Sequence, residues 1–201
     1  MNHPEFSIKT NDEFNEPEIA KQWEWNHQPN AKKWSLTEQP GYLRIYASKP
    51  VSTQNRRSQF FNIPNVISQR SFRTDKNEAI AKLEIANMTD GQFAGICHFG
   101  KTYSMFGIQQ KNGVRRVFLD NNKLESLGKT ISVPIIYLKS TWGINGQSYY
   151  SYSFDGENFQ NFGEKYQLTW GDYRGDRIGI FTYNVLNESG YIELDWFHFK
   201  F

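Results

Sequence analysis

The chain has 201 residues and a formal net charge of +2, and it is rich in aromatic side chains, with 16 Phe, 11 Tyr and 6 Trp. That length can bury one substantial core, so a single domain is the default, and the near-neutral, interspersed charge gives nucleic-acid binding little electrostatic support. No apolar run reaches membrane-spanning length, the N-terminal MNHPEFSIKT lacks a basic-then-apolar signal pattern, and the lone Cys97 excludes an internal disulfide or a multi-cysteine metal site.

In chain order, residues 1–11 read as an extended, polar lead-in and 12–201 as one β domain. In Glu16-Pro17-Glu18-Ile19-Ala20 the proline is placed to open a single helical turn. The stretch WEWNHQPNAKKWSLTEQPGYLRI, Trp23 to Ile45, carries three tryptophans among Asn, His and Lys. Two readings of it stand side by side. Trp23 and Trp25 alternate as on one inward face of a strand, or the indoles offer flat apolar surface to sugar rings while Asn and His bond the hydroxyls. Tyr42–Ala47 alternates as a half-buried strand.

Lys49–Asn65 reads as a long irregular connection. Its adjacent Phe60 and Phe61 cannot both face inward on an extended strand, so one of them is offered to a partner or ligand. Strands are expected at Val66–Arg73, Ala79–Ala86, Gln92–Phe99, Tyr103–Gln110, Val114–Leu119 and Ile131–Leu138. Pro134 puts the last of these at an edge or a bulge. Gln147–Phe154 alternates, with Tyr150, Tyr152 and Phe154 on one face, and Gly156 supplies a positive φ to the turn that follows. Arg177–Tyr183 and Tyr191–Phe199 close the chain. Short strands at turn-punctuated spacing, with no crossover helices between them, predict an all-β sandwich of two antiparallel sheets.

The chemistry is sparse. Glycoside hydrolysis usually needs two opposed carboxyl groups, and the acids here, such as Asp155, Glu157, Glu193 and Asp195, sit on turns and strand ends. His3, His27, His98 and His198 follow no metal-binding spacing. Cys97 alternates with apolar neighbours as a buried, inert thiol does. Sugar contact falls to the tryptophan loop and the neighbouring polar strand faces: Trp25, His27, Trp34, Gln69 and Arg70.

The Trp23–Ile45 stretch resembles the start of the concanavalin A-like domain that follows the catalytic propeller in family 43 glycoside hydrolases, the β-xylosidases and α-arabinofuranosidases. The resemblance continues at Ile67-Ser68-Gln69-Arg70-Ser71-Phe72 and at Asn87-Met88-x-Asp90-Gly91-x-x-Ala94-Gly95. It returns at Phe154-Asp155-Gly156-x-x-Phe159, at Trp170-x-x-Tyr173-Arg174-Gly175-Asp176-Arg177-Ile178-Gly179, and at Gly190-Tyr191-x-x-x-Asp195-Trp196-Phe197-x-Phe199.

This resemblance implies a concanavalin A-like jelly roll without an active site of its own. Such a domain packs on a five-bladed catalytic propeller and helps shape its substrate pocket. It further implies a structural calcium between the first and last strands, held by Glu13 and Asp195 with backbone carbonyls near Gly41. The alternatives are an independent carbohydrate-binding module for xylan or arabinoxylan oligosaccharides, stacking sugars on Trp25, Trp34, Tyr150 or Tyr152, and a stand-alone hydrolase on the sandwich itself.

Overall fold

The computed structural model describes residues 8–51, 55–122, 125–171 and 174–201, with Arg56 and Arg57 described by backbone alone. Residues 1–7 of the expected lead-in and Tyr173 of the arginine-glycine motif lie outside the described residues. Strands are numbered along the chain. The smaller sheet runs β1 (Glu24–Trp25), β4 (Ile67–Arg70), β14 (Arg177–Asn184), β6 (Gln92–Phe99), β7 (Tyr103–Lys111), β8 (Val114–Asp120) and β9 (Glu125–Ile131). The larger runs β12 (Gln160–Asn161), β11 (Gln147–Ser153), β10 (Ile135–Trp142), β5 (Asn77–Glu84), β15 (Tyr191–Lys200), β3 (Leu43–Tyr46) and β2 (Trp34–Ser35), with β13 (Tyr166–Gln167) also paired to β11. Every pairing is antiparallel, as the strand pattern predicts.

Alternation builds the larger sheet. On β5, Ala79, Ala81 and Leu83 are fully buried while Glu78, Ile80, Lys82 and Glu84 face outward. Strand β15 breaks the rule once. Ile192 and Leu194 point inward, and so do Phe197 and Phe199, an odd step that a β-bulge between Leu194 and Trp196 absorbs. The bulge leaves both Asp195 and Trp196 half-exposed beside Lys82. The lead-in residues that are described dock on this strand: Asp12 bridges Phe197, and Thr10 donates its hydroxyl to the Phe199 carbonyl at 2.5 Å.

The smaller sheet is buried on both faces at its centre. All eight residues of β14 are buried. Ile178 and Ile180 join the core between the sheets, whereas Phe181 and Tyr183 join a second cluster on the far side with Cys97, Tyr103, Met105 and Phe118. A roof covers that second cluster. It is the segment expected to be irregular, and within it Arg56–Phe61 forms a short helix, α1. Asn55 caps the helix, its Oδ1 accepting from Ser58 N at 2.8 Å. On a helix adjacent side chains diverge by about 100° rather than 180°, so both phenylalanines reach the cluster. Phe60 stacks on Tyr103 with centroids 4.8 Å apart, and Phe61 meets Phe99 edge-on.

Three further expectations are corrected. Glu16–Ala20 forms bends, not a helical turn, and brings Ile19 and Ala20 onto the core. Ile131–Leu138 is two strands in different sheets; Val133-Pro134 is their crossing, and the Pro134 carbonyl accepts from Ile85 N at 2.7 Å. Strand β9 has no counterpart in the expected strands because it is an edge with few apolar residues, Leu127 being exposed. Gly156 takes φ +83° in its turn, as predicted.

His98 lies fully buried between the sheets, its Nε2 2.8 Å from Ser140 Oγ and its ring edge-on to Trp142. Burial pushes its pKa down to about 3, against a hydrogen bond to the Arg177 backbone that favours the proton. An unfolded histidine titrates near 6.5, so below that pH only the unfolded chain takes up this proton. The stability His98 contributes is therefore complete above about pH 6.5 and falls as pH drops toward 3, by at most about 1.4 kcal/mol per unit. Denaturant melts from about pH 7 to about pH 4.5 should show this decline, and His98→Gln should make the slope shallower by about one proton. An unchanged slope would assign the acid sensitivity to other groups.

Candidate functional site

The tryptophan stretch is held from both sides. Asp12, itself buried, accepts the Trp23 indole N–H at 2.7 Å on Oδ2 and the Phe14 amide at 3.0 Å on Oδ1. This fixes Trp23 edge-on against Phe197, 5.0 Å away. Trp25, on β1, pairs with Ile67 of β4 and packs its ring 5.3 Å from Trp34 on β2. The loop between them is clamped by a reciprocal amide pair: Asn65 accepts from Asn30 N at 2.8 Å and donates to the Asn30 carbonyl at 3.0 Å.

The residues expected to touch sugar do not form one platform. Trp25 and Trp34 are half-buried on the edge of the core, and the Trp34 indole N–H is buried with no acceptor among the described residues. Gln69 is buried and spends its amide on the Thr10 carbonyl at 2.7 Å, tying down the lead-in. Arg70, next along β4, is exposed. His27 places Nε2 2.5 Å from the Phe61 carbonyl, against the roof helix.

What the structure does assemble beside His27 is a cleft of about 220 Å³ lined by Asn26, Phe61, Phe99, Arg174 and Arg177, with Gly100, Gly171 and Gly175 as backbone walls. Arg174 donates to the Asn26 carbonyl and side-chain oxygen and to the Trp25 carbonyl, at 3.0 to 3.2 Å. Arg177 is buried, which pushes its pKa down, and its guanidinium reaches Glu24, as does that of Arg174. The Asn26 amide nitrogen is buried without an acceptor among the described residues. A donor-rich, aromatic-walled cleft of this kind suits carbonyl or hydroxyl groups. Its arginines stand in the Arg174-Gly175-Asp176-Arg177 motif, but their role depends on Asn26, some 150 positions earlier, and no local pattern in the chain reveals that pairing. Beside it Trp170 is 67% exposed, with its ring over Gly175.

The carboxylates have other duties. Asp155 accepts from the Asn158 side-chain amide on Oδ2, and from the Asn158 and Glu157 backbone amides and the Ser153 hydroxyl on Oδ1, and these bonds hold its pKa below the ordinary carboxylate range. Glu193 is bound by Arg44 at 2.6 Å. The two carboxylates expected to hold calcium each have another partner: Asp195 is 2.5 Å from Lys82 Nζ and Glu13 is 2.5 Å from His198 Nε2. Among the described residues no group of three or more His, Cys, Asp or Glu side chains is placed to share a metal ion.

Two outcomes follow from this geometry. Melting curves with added calcium and with chelator should coincide; a chelator-sensitive transition abolished by Asp195→Ala would restore the metal. Trp34→Ala should destabilise the fold by roughly 2–3 kcal/mol, below the range for a fully enclosed indole. An unchanged melting temperature would free Trp34 for ligand stacking.

The comparisons agree with one another. Residues 11–200 match the family model for the beta xylosidase C-terminal concanavalin A-like domain. A beta-xylosidase of Formosa agariphila is 33% identical over 215 residues, which covers 99% of this chain and 36% of that protein. A putative beta-xylosidase of Xylanibacter ruminicola is 27% identical, covering 82% of this chain and 29% of that protein. This chain therefore spans about a third of the length of these curated relatives. Among solved structures, a bifunctional GH43-CE protein of Bacteroides eggerthii superposes with TM-score 0.83 at 23% identity, over 94% of this chain and 25% of that one. The GH43 protein BlXynB of Bacillus licheniformis superposes with TM-score 0.79 at 20% identity, over 96% and 39%. With its two antiparallel sheets and a family match along nearly its whole length, the chain belongs to the beta xylosidase C-terminal concanavalin A-like domain family.

Proposed function

We propose that this sandwich serves as the accessory domain of a longer glycoside hydrolase acting on xylan-type polysaccharides, packed on a separate catalytic propeller. The observation that carries this reading is the family match over residues 11–200 in a chain only about a third as long as its relatives. The carboxylates support it, since Asp155, Glu193 and Asp195 are each held by turn amides or cations, and among the described residues no carboxylate lines the cleft beside His27.

The face that meets the propeller, in this reading, is the end of the sandwich carrying Trp170 and the Arg174 cleft. A tryptophan left two-thirds exposed beside arginine and aromatic walls has the composition of an interface centre. The Thr102 amide bonds Thr169 Oγ1 at 3.0 Å and fixes the segment leading to Trp170 on the β6–β7 turn, so the indole is presented from a rigid base.

The chain alone should release no nitrophenol from nitrophenyl xyloside or arabinofuranoside. Turnover that survives repurification and disappears with one Asp or Glu substitution would overturn the accessory reading. Supplied with the propeller of its parent enzyme as a separate chain, it should form a complex that Trp170→Ala weakens about tenfold or more. The melting temperature of the sandwich should not change. Unaltered association would move the interface elsewhere.

A further inference from the structure

A groove larger than the cleft beside His27 lies on the outer face of the larger sheet, away from that cleft. It measures about 560 Å³, a size that suits a ligand of several rings. Strand register explains its shape. Across β11, β10, β5 and β15 the outward residues Tyr149, Thr141, Glu78 and Lys200 are successive cross-strand neighbours. Thr141 is short, and the next outward position on its side is Gly143, which carries no side chain. The floor is therefore low between a wall built on Tyr149 and Gln147 and a wall built on Glu78 and Lys200.

The walls carry complementary chemistry. Tyr149 is 51% exposed, and its hydroxyl donates to Gln147 Oε1 at 3.2 Å. Lys165 donates to the same oxygen at 3.3 Å. The tyrosine ring is thus braced while its flat surface stays in solvent, and the Gln147 amide N–H groups remain available as donors. On the other side Glu78 offers a carboxylate, 3.7 Å from Lys139 Nζ, and Lys200 an ammonium. The lining charges cancel, with Asp75 and Glu78 against Lys76 and Lys200. Neither sign of charge dominates the lining itself, while Lys139 and Lys165 stand behind the walls on Glu78 and Gln147. A neutral molecule with many hydroxyls would find donors, acceptors and an aromatic face together.

We propose that this groove binds an uncharged oligosaccharide, one sugar ring lying on Tyr149 and its hydroxyls bonding Glu78, Gln147 and Lys200. The domain would then hold a glycan chain at a place separate from the tryptophan stretch. The choice of a xylan-type ligand rests on the proposed function above; the groove's preference for a neutral glycan does not.

The test is calorimetric titration of the chain with xylohexaose, and in parallel with cellohexaose and maltohexaose. Xylohexaose should bind with little dependence on salt, because no net charge is neutralised. Tyr149→Ala should raise Kd about tenfold or more, as loss of an aromatic stacking platform does, whereas Tyr149→Phe should keep most of the affinity. Thr141→Trp, which fills the floor and leaves Tyr149 in place, should also abolish binding, with a folded state confirmed by circular dichroism.

Binding of cellohexaose or maltohexaose but not xylohexaose, lost in the same variants, would uphold the groove and overturn the choice of a xylan-type ligand for it. No binding of any hexaose would overturn the groove itself. So would binding that Tyr149→Ala and Thr141→Trp leave intact, or that Thr141→Trp alone fails to remove.

Discussion

A sheet whose central strand has no solvent-facing side needs a second cover, and the rest of this molecule is arranged around that requirement. Strand β14 lies between β4 and β6 with all eight residues buried. The larger sheet covers one face. The other is closed by the segment that carries α1, through Phe60 on Tyr103 and Ile63 and Val66 in the same cluster. Each fully buried side chain of this size stabilises by about 1.5–3 kcal/mol relative to exposure, so the roof is part of the fold and not an ornament on it. Asn55 at the helix start and the Asn30–Asn65 amide pair near its far end hold it at both margins.

That cover also decides where ligands have room. The outer face of the smaller sheet, which an uncovered sandwich would present as an open trough, is filled by aromatic packing over much of its area. Open surface is left at the end of the sandwich, where Trp170 and the Arg174 cleft lie, and on the outer face of the larger sheet, where low residues leave a depression. An interface assigned to the first and a glycan groove assigned to the second do not compete for the same residues.

Much of the fold was legible because strand periodicity is local. The inward set Ala79, Ala81 and Leu83 could be read from alternation, and Gln92–Phe99 from the Thr89-Asp90-Gly91 turn before it. The failures share a cause. Pro134 looked like a defect in one strand because an apolar run does not reveal that its halves belong to different sheets. Phe60 and Phe61 looked like a conflict because the run was imagined extended, although Asn55 is a residue type that caps a helix start. The site was harder still. Trp25 and Trp34 have the composition of a sugar platform, and whether they stack on sugar or on each other is set by the partner strand, β4. Glu13 and Asp195 were joined by the proximity of the chain ends, and in the structure their oxygens lie against His198 and Lys82 on the same outer face. Tyr149 gave no signal because a groove floor depends on which short residues sit beside it across the sheet.

Cys97 sits at the meeting point of roof and sheet, fully buried, with its thiol pushed up by burial well beyond the ordinary range. In the closed molecule it is chemically silent, since it is the thiolate that reacts. Any reagent that modifies it must wait for α1 to lift or for the sheet to part. The chain thus carries a single native chronometer of its own breathing. The rate at which Cys97 is labelled, compared with the rate of global unfolding, separates loosening of the roof from loss of the sandwich beneath it.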